Sequence, residues 1–309
     1  MKRVPPAVWF ICRLITAVLL CVLLARSFDL SMLLEQVRTI DRGWLIVCVA
    51  VPILGILISA LRWQVVLDML AVRRLYGELL LRYWSGAFYN NALPGSIGGD
   101  VIRVGGLVRA GVPLAPSTLS VLADRAIGLW AGLLLGLLSC LWPSSILYRG
   151  MLGLIFGCIV IGAALCVWLI PLARRYLPAR LERFVALAGL LGMSRRWYVF
   201  GLACGFQALV VLHLYVAARA LHTPISLLIC GVYAPAVVLT TLLPISLNGI
   251  GVREATLVVL LAGVGVPRET AALMGVLIYV TTVLASLPGG LATLALPVKA
   301  HNDSSPSPL

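Results

Sequence analysis

Hydrophobic positions along this chain gather into long runs separated by short polar and basic segments. Runs long enough to cross a bilayer lie at roughly 7–25, 43–61, 117–141, 151–171, 198–218 and 271–295. Two further apolar stretches, about 76–109 and 226–264, are each interrupted in the middle by Pro, Gly, Ser and Asn. The pattern predicts an all-α polytopic membrane bundle of about six full spans plus two broken or re-entrant hairpins, eight or more helices in all. Residues 1–300 read as a single integral membrane domain, and the Pro/Ser-rich stretch 301–309 as a disordered polar tail.

Composition agrees with that reading. Of 309 residues, 61% are hydrophobic and only 11% charged, which excludes both a water-soluble globule and a disordered chain. The opening Met1-Lys2-Arg3 and apolar run to Ala25 resemble a secretory signal, but no small-x-small cleavage site follows, so an uncleaved first helix is expected. The eight cysteines lie in apolar runs with no CxxC pair, so they read as small buried hydrophobes, not as a disulfide framework or zinc site. Trp9, Trp44, Trp63 and Trp142 lie near span ends and read as interface anchors.

Charge supplies orientation. Lys and Arg number 24 against 11 Asp and Glu, for a net charge of +13. With the amino end inside, fourteen bases fall on cytoplasmic segments, Arg62, Arg73, Arg74, Arg103 and Arg109 among them. Six fall on the opposite side, and Arg13, Arg82, Arg125 and Arg253 sit within apolar runs. The positive-inside rule then places both termini in the cytoplasm and the protein in a cell (inner) membrane.

The two interruptions resemble each other. The first reads Leu93-Pro94-Gly95-Ser96-Ile97-Gly98-Gly99-Asp100-Val101-Ile102-Arg103, and the second Leu243-Pro244-Ile245-Ser246-Leu247-Asn248-Gly249-Ile250-Gly251-Val252-Arg253-Glu254. Downstream, Ala110-Gly111-Val112-Pro113 is matched by Ala262-Gly263-Val264-Gly265-Val266-Pro267. Paired interruptions in halves of opposite orientation point to an inverted repeat with a ligand site at mid-depth. Backbone groups freed by each break must face protein or a wet cavity. The helix that restarts near Asp100, or near Val252, aims its first N–H groups and the positive end of its dipole back into the break, where a phosphate or carboxylate fits. The competing reading is that Asp100 caps its own helix and the glycines permit tight packing.

Charged side chains at bilayer depth cost on the order of 3 kcal/mol each and usually face the bundle interior. Three acid–base couples stand near the breaks or in the following helix: Asp100 with Arg103, Asp124 with Arg125, and Arg253 with Glu254. Asp124 shares a helix face with Gly128, Gly132 and Gly136, a close-packing stripe that turns it toward a neighbouring helix. Asp124 reads either as a structural bridge or as a counter-charge for arginines that hold a lipid phosphate. Glu78 and Arg82, four apart, read as an intrahelical pair, and His213 as a structural histidine. Asn91, Ser96, Gly98, Gly99, Ser246, Asn248, Gly249 and Gly251 complete the candidate substrate-binding set.

The Asn-x-Leu-Pro-Gly-x-x-Gly-Gly-Asp-x-x-Arg stretch from Asn91 to Arg103 resembles the lysylphosphatidylglycerol synthase transmembrane-domain family, also called flippase-like proteins. So do the Asp124-Arg125 pair and the late Leu-Pro-x-Ser-x-x-Gly-x-Gly-x-Arg-Glu stretch from Leu243 to Glu254. In the multiple peptide resistance factors of that family, the membrane part is associated with moving aminoacylated phosphatidylglycerol between leaflets. The resemblance implies roles for Asp100, Arg103, Asp124, Arg125, Arg253 and Glu254. Fourteen residues follow the last span, so no soluble aminoacyl-transferase domain is expected. The expected activity is a lipid flippase, or else a membrane partner of a lipid-modifying or glycan-lipid enzyme without a catalytic site of its own. The expected partner is a membrane lipid with an anionic head group, phospholipid or polyprenyl phosphate. A lipid-biosynthesis enzyme or a second copy of the chain is a further candidate; nucleic acid, cofactors and metals are not expected, and no P-loop Lys-Ser/Thr follows the glycines at 95–99.

Overall fold

The computed structural model describes residues 35–92, 98–140, 150, 157, 161, 162, 193–242 and 249–295, in which only helices, turns and short connections occur. The predicted span 7–25, nearly all of 151–171, the tail 301–309, and the candidate residues Ser96, Ser246 and Asn248 lie outside the described residues.

The first described long helix, α1, runs Arg42–Met69 and is opened by Asp41, whose side chain accepts from the N–H groups of Gly43 and Trp44. Its 28 residues give about 42 Å of helix, more than the roughly 30 Å hydrocarbon core. A hairpin follows: α2 (Tyr76–Ala92) and the shorter α3 (Gly98–Arg109). Arg74 at its entrance donates to the Ala110 carbonyl at its exit at 2.6 Å, so the chain enters and leaves on one face. The long α4 (Leu114–Cys140) then crosses. A second set repeats the order: α5 (Met193–Ala220), the hairpin α6 (Leu227–Leu242) and α7 (Val252–Ala262), and α8 (Arg268–Ser286), continued by α9 (Pro288–Ala295). α1, α4, α5 and the α8–α9 pair are long and apolar enough to span. At 12 and 11 residues, α3 and α7 are too short to do so, which makes both interruptions re-entrant.

The turns establish the repeat more firmly than the motifs do. α1 and α5 both end on a non-glycine residue in the left-handed region, Ala71 (φ 58°) and His222 (φ 54°). Val72 then bonds back to Leu67, and Thr223 to Ala218, five residues earlier in each case. α3 and α7 both end on a left-handed glycine, Gly111 (φ 86°) and Gly265 (φ 77°), with Val112 bonding to Leu107 and Val266 to Leu261. Each half also has its own apolar cluster. Leu67, Leu79, Leu107 and Val112 form one, and their counterparts Ala218, Cys230, Leu261 and Val266 belong to the other.

The halves are inverted relative to each other. The Asp41 N–H at the start of α1 donates to the Ala220 carbonyl at the end of α5, so these equivalent helices run antiparallel. Midway along them, the Phe206 ring packs on Gly55. Those two residues occupy equivalent positions and touch each other, so the pseudo-twofold axis passes between them.

Candidate functional site

Five charged residues from three helices form one connected network in the first half. Asp124 on α4 accepts from Arg62 Nε on α1 at 2.7 Å and from Arg103 Nη2 on α3 at 2.9 Å. Arg103 lies 3.6 Å from Asp100, which in turn accepts from Arg125 at 2.9 and 3.2 Å. Arg62, Arg103 and Asp124 are buried, at 3%, 3% and 1% exposure, whereas the Arg125 side chain is 42% exposed. Burying an ion costs several kcal/mol unless its partners are close and well placed. Here each oxygen of Asp124 takes a different guanidinium, and aromatic rings supply further support. The Arg103 guanidinium lies 4.2 Å from the ring centres of both Trp63 and Tyr83, and Arg62 stands 5.5 Å over Phe206.

Glycines make room for these side chains. A Cβ on Gly86 would strike Arg103, one on Gly106 would strike Arg82, and one on Gly128 would press on Arg62. Each long cation thus crosses the bare backbone of an adjacent helix. The small-residue face of α4 therefore does more than admit a helix: Gly128 faces Arg62, and Gly132 faces Gln207, which donates to the Gly128 carbonyl at 2.6 Å.

The network closes one end of a cavity of about 570 Å³, within the range usual for small-ligand sites of roughly 300–1,000 Å³. α1, α2, α4, α5 and α8 supply most of its wall, with Val238 from α6 and Arg103 from α3. Asn91 lines it and donates to Ser286 at 3.0 Å. At the other end stands His213, the counterpart of Arg62 in the second half, which pairs with Thr281 on α8 at 3.0 Å. Three lining residues carry a buried polar atom that lacks a hydrogen-bond partner among the described residues: Ser59 Oγ, Arg62 Nη1 and Arg103 Nε.

The remaining candidates divide. Gly98 and Gly99 open α3, and the Gly99 N–H donates to Asn90 Oδ1 at 2.7 Å. In the second half, Glu254 Oε2 accepts from the Gly251 N–H at 2.6 Å and caps α7. Arg253 lies over the Tyr279 ring at 5.3 Å, and Gly249 adopts φ 77° beside Thr241. These two half-helix starts therefore each spend one N–H on a side chain of the protein itself. Glu78 and Arg82 pair as expected at 2.9 Å.

Three expectations need correction. Arg62, counted above with the cytoplasmic loop bases, lies inside α1 and is a buried member of the network. Trp63 is no interface anchor: it is fully buried, donates to Ser120 at 3.1 Å and packs on Arg103. Asp124 and Arg125, adjacent in sequence, are not partners, because neighbouring helical positions point about 100° apart. Asp124 takes Arg62 and Arg103 instead, and Arg125 takes Asp100.

No curated protein sequence matches the chain. The family described as the lysylphosphatidylglycerol synthase TM region matches residues 10–289. With four long apolar helices and two re-entrant hairpins among the described residues behind that match, the chain belongs to this family and is a multi-pass membrane protein related to lipid modification or transport.

Proposed function

We propose that this protein is a flippase that carries an anionic lipid between leaflets of the cell membrane. The observation behind the reading is the meeting of Arg62, Arg103 and Arg125 at one end of a membrane-embedded cavity. A lipid phosphate takes its place among these guanidiniums while Asp124 and Asp100 keep them positioned. When the site is empty, the two carboxylates satisfy the arginines, so the cavity is never left with three uncompensated charges. Residues 1–300 act as one membrane domain. The face bearing Arg73, Arg74, Arg109, Arg195 and Arg196 is the cytoplasmic one by the positive-inside rule, which leaves both termini inside.

Reconstitution into liposomes with fluorescent lipids tests the proposal. Transbilayer movement is expected for an anionic lipid, with at least an about tenfold slower rate for folded Arg62→Gln and Arg103→Gln variants. Movement of no lipid across a broad panel, or full rates in both variants, refutes it. The family description names the membrane region of a synthase, which favours a second reading: a noncatalytic membrane partner of a lipid-modifying enzyme. Co-purification of such an enzyme with no lipid movement by the isolated chain separates the two.

A further inference from the structure

The second half carries a histidine where the first carries Arg62, and hydrogen-bond acceptors surround its ring. His213 on α5 lines the cavity and keeps 8% of its surface exposed. Its Nε2 lies 3.0 Å from Thr281 Oγ1, and the Thr281 hydroxyl already donates to the Leu277 carbonyl at 2.7 Å. Thr281 therefore accepts at this contact, and Nε2 carries a proton. The ring also hydrogen-bonds the Cys48 backbone carbonyl on α1. That carbonyl is open to it because the residue four places on is Pro52, which has no N–H to give. A neutral imidazole has one N–H for these two acceptors, whereas an imidazolium has one for each.

The groups around the ring decide when the second proton is present. The correspondence of α4 with α8 that starts at Pro113 and Pro267 pairs Asp124 with Ile278. The first half thus sets a carboxylate against its permanent cation, and the second has an apolar side chain at that place. From α1 and α8 come Cys48 and Thr281, whose Sγ and Oγ1 lie 3.7 Å apart, and α6 contributes Val238 to the cavity wall. Arg253 on α7 lies over the Tyr279 ring and brings a positive charge to bear on His213. Its neighbour Glu254 is engaged by the Gly251 N–H. A second proton on the ring is therefore a buried charge without compensation while the cavity is empty. One phosphate beside the ring supplies the missing anion.

Building on the transport reading above, we infer that His213 is a proton site loaded together with the cargo: its ring is neutral in the empty second half and takes one proton from cavity water when an anionic head group reaches it. The proton returns to water when the head group leaves. The two halves thus keep an empty site neutral by different means. The arginine end is neutralised by Asp124, and the histidine end sheds its charge. Proton and phosphate each raise the affinity for the other by the same factor.

Binding of short-chain phosphatidylglycerol to the purified full-length chain, followed from about pH 8 to about pH 5.5, tests the assignment. The phosphodiester keeps one negative charge throughout, so any change belongs to the protein. Binding is expected to tighten by about tenfold toward the acid end, with net proton uptake in weakly buffered solution. His213→Gln, which cannot take the proton, is expected to keep the weak affinity at every pH and to take up none. His213→Arg, charged at every pH, is expected to hold the tight affinity across the whole range. Wild-type binding that ignores pH, or a pH dependence that survives in either variant, overturns the proposal. Movement of fluorescent phosphatidylglycerol in liposomes keeps the two proposals apart. Binding linked to pH through His213 with no lipid movement sinks the transport reading alone. Movement at a rate unaffected by His213→Gln and by a pH difference across the membrane sinks the proton site alone.

Discussion

Arg62 on α1 and Asp124 on α4 form a 2.7 Å ion pair whose side chains are 4% and 1% exposed. Asp124 simultaneously holds Arg103, so one carboxylate is hydrogen-bonded to two buried cations from different helices, while Asp100 stands 3.6 Å from the second of them. Removing such a shared partner leaves charge buried without compensation. Asp124→Asn is expected to destabilise the protein by about 3 kcal/mol or more, read as a lower thermal unfolding midpoint in detergent. An unchanged midpoint means water reaches the arginines and the network is not closed.

At the outer end of the same network, Arg125 is much more solvated. Its pair with Asp100 is screened and contributes no more than about 1 kcal/mol. Arg125→Gln should therefore leave the unfolding midpoint nearly unchanged while lowering lipid movement. If stability and transport fall in step, Arg125 is a structural brace and not a ligand group.

Two glycines of α3 make a controlled comparison. A Cβ on Gly99 would collide with the Gly86 carbonyl and with Asn90, whereas one on Gly105 meets nothing within 4 Å. Gly105→Ala should stabilise the helix by about 0.5–1 kcal/mol. Gly99→Ala should cost about 2 kcal/mol or more, because α2 and α3 must separate. Similar effects from the two substitutions, by chemical denaturation of the purified protein, contradict the close approach described for this hairpin.

The matched helix ends give a prediction for both halves at once. Ala71 and His222 hold left-handed backbone that glycine adopts without strain. Ala71→Gly and His222→Gly are each expected to be neutral to stabilising by up to about 1 kcal/mol, relief of strain being offset in part by the freer unfolded chain. A loss of more than about 1 kcal/mol in either shows that its side chain matters more than its backbone. His222 is the sharper case, because its ring nitrogen stands 3.1 Å from the Thr39 carbonyl.

Much of this arrangement is written locally in the chain. Pro, Gly and Asn in the middle of two apolar runs announce the re-entrant hairpins, and the four-residue spacing of Gly128 and Gly132 after Asp124 turns that carboxylate toward a neighbour. What stays hidden is anything fixed by a partner far along the chain. Arg62 follows the apolar run 43–61 and precedes Trp63, so by local pattern it looks like the end of a span at the membrane surface. Only the return of the chain through α3 and α4 covers it, and its partner lies 62 positions away. Trp63 is hidden for the same reason, and the true pairings of Asp100, Asp124 and Arg125 depend on helix facing, which adjacency in sequence misrepresents.

If the protein carries lipid between leaflets as proposed, the correspondence of Arg62 with His213 bears on how it turns over. Were the two halves identical in side chains as well as in backbone, swapping their conformations would regenerate the same site facing the other leaflet, and the two resting forms would be isoenergetic. Here the swap exchanges an arginine clasp for a histidine held by a threonine hydroxyl. On that reading, inward- and outward-facing forms would hold an anion with unequal strength. Dwell times, and with them the slow step, would then differ for cargo approaching from either leaflet: the backbone would set a reversible path, and the side chains would make it a lopsided one.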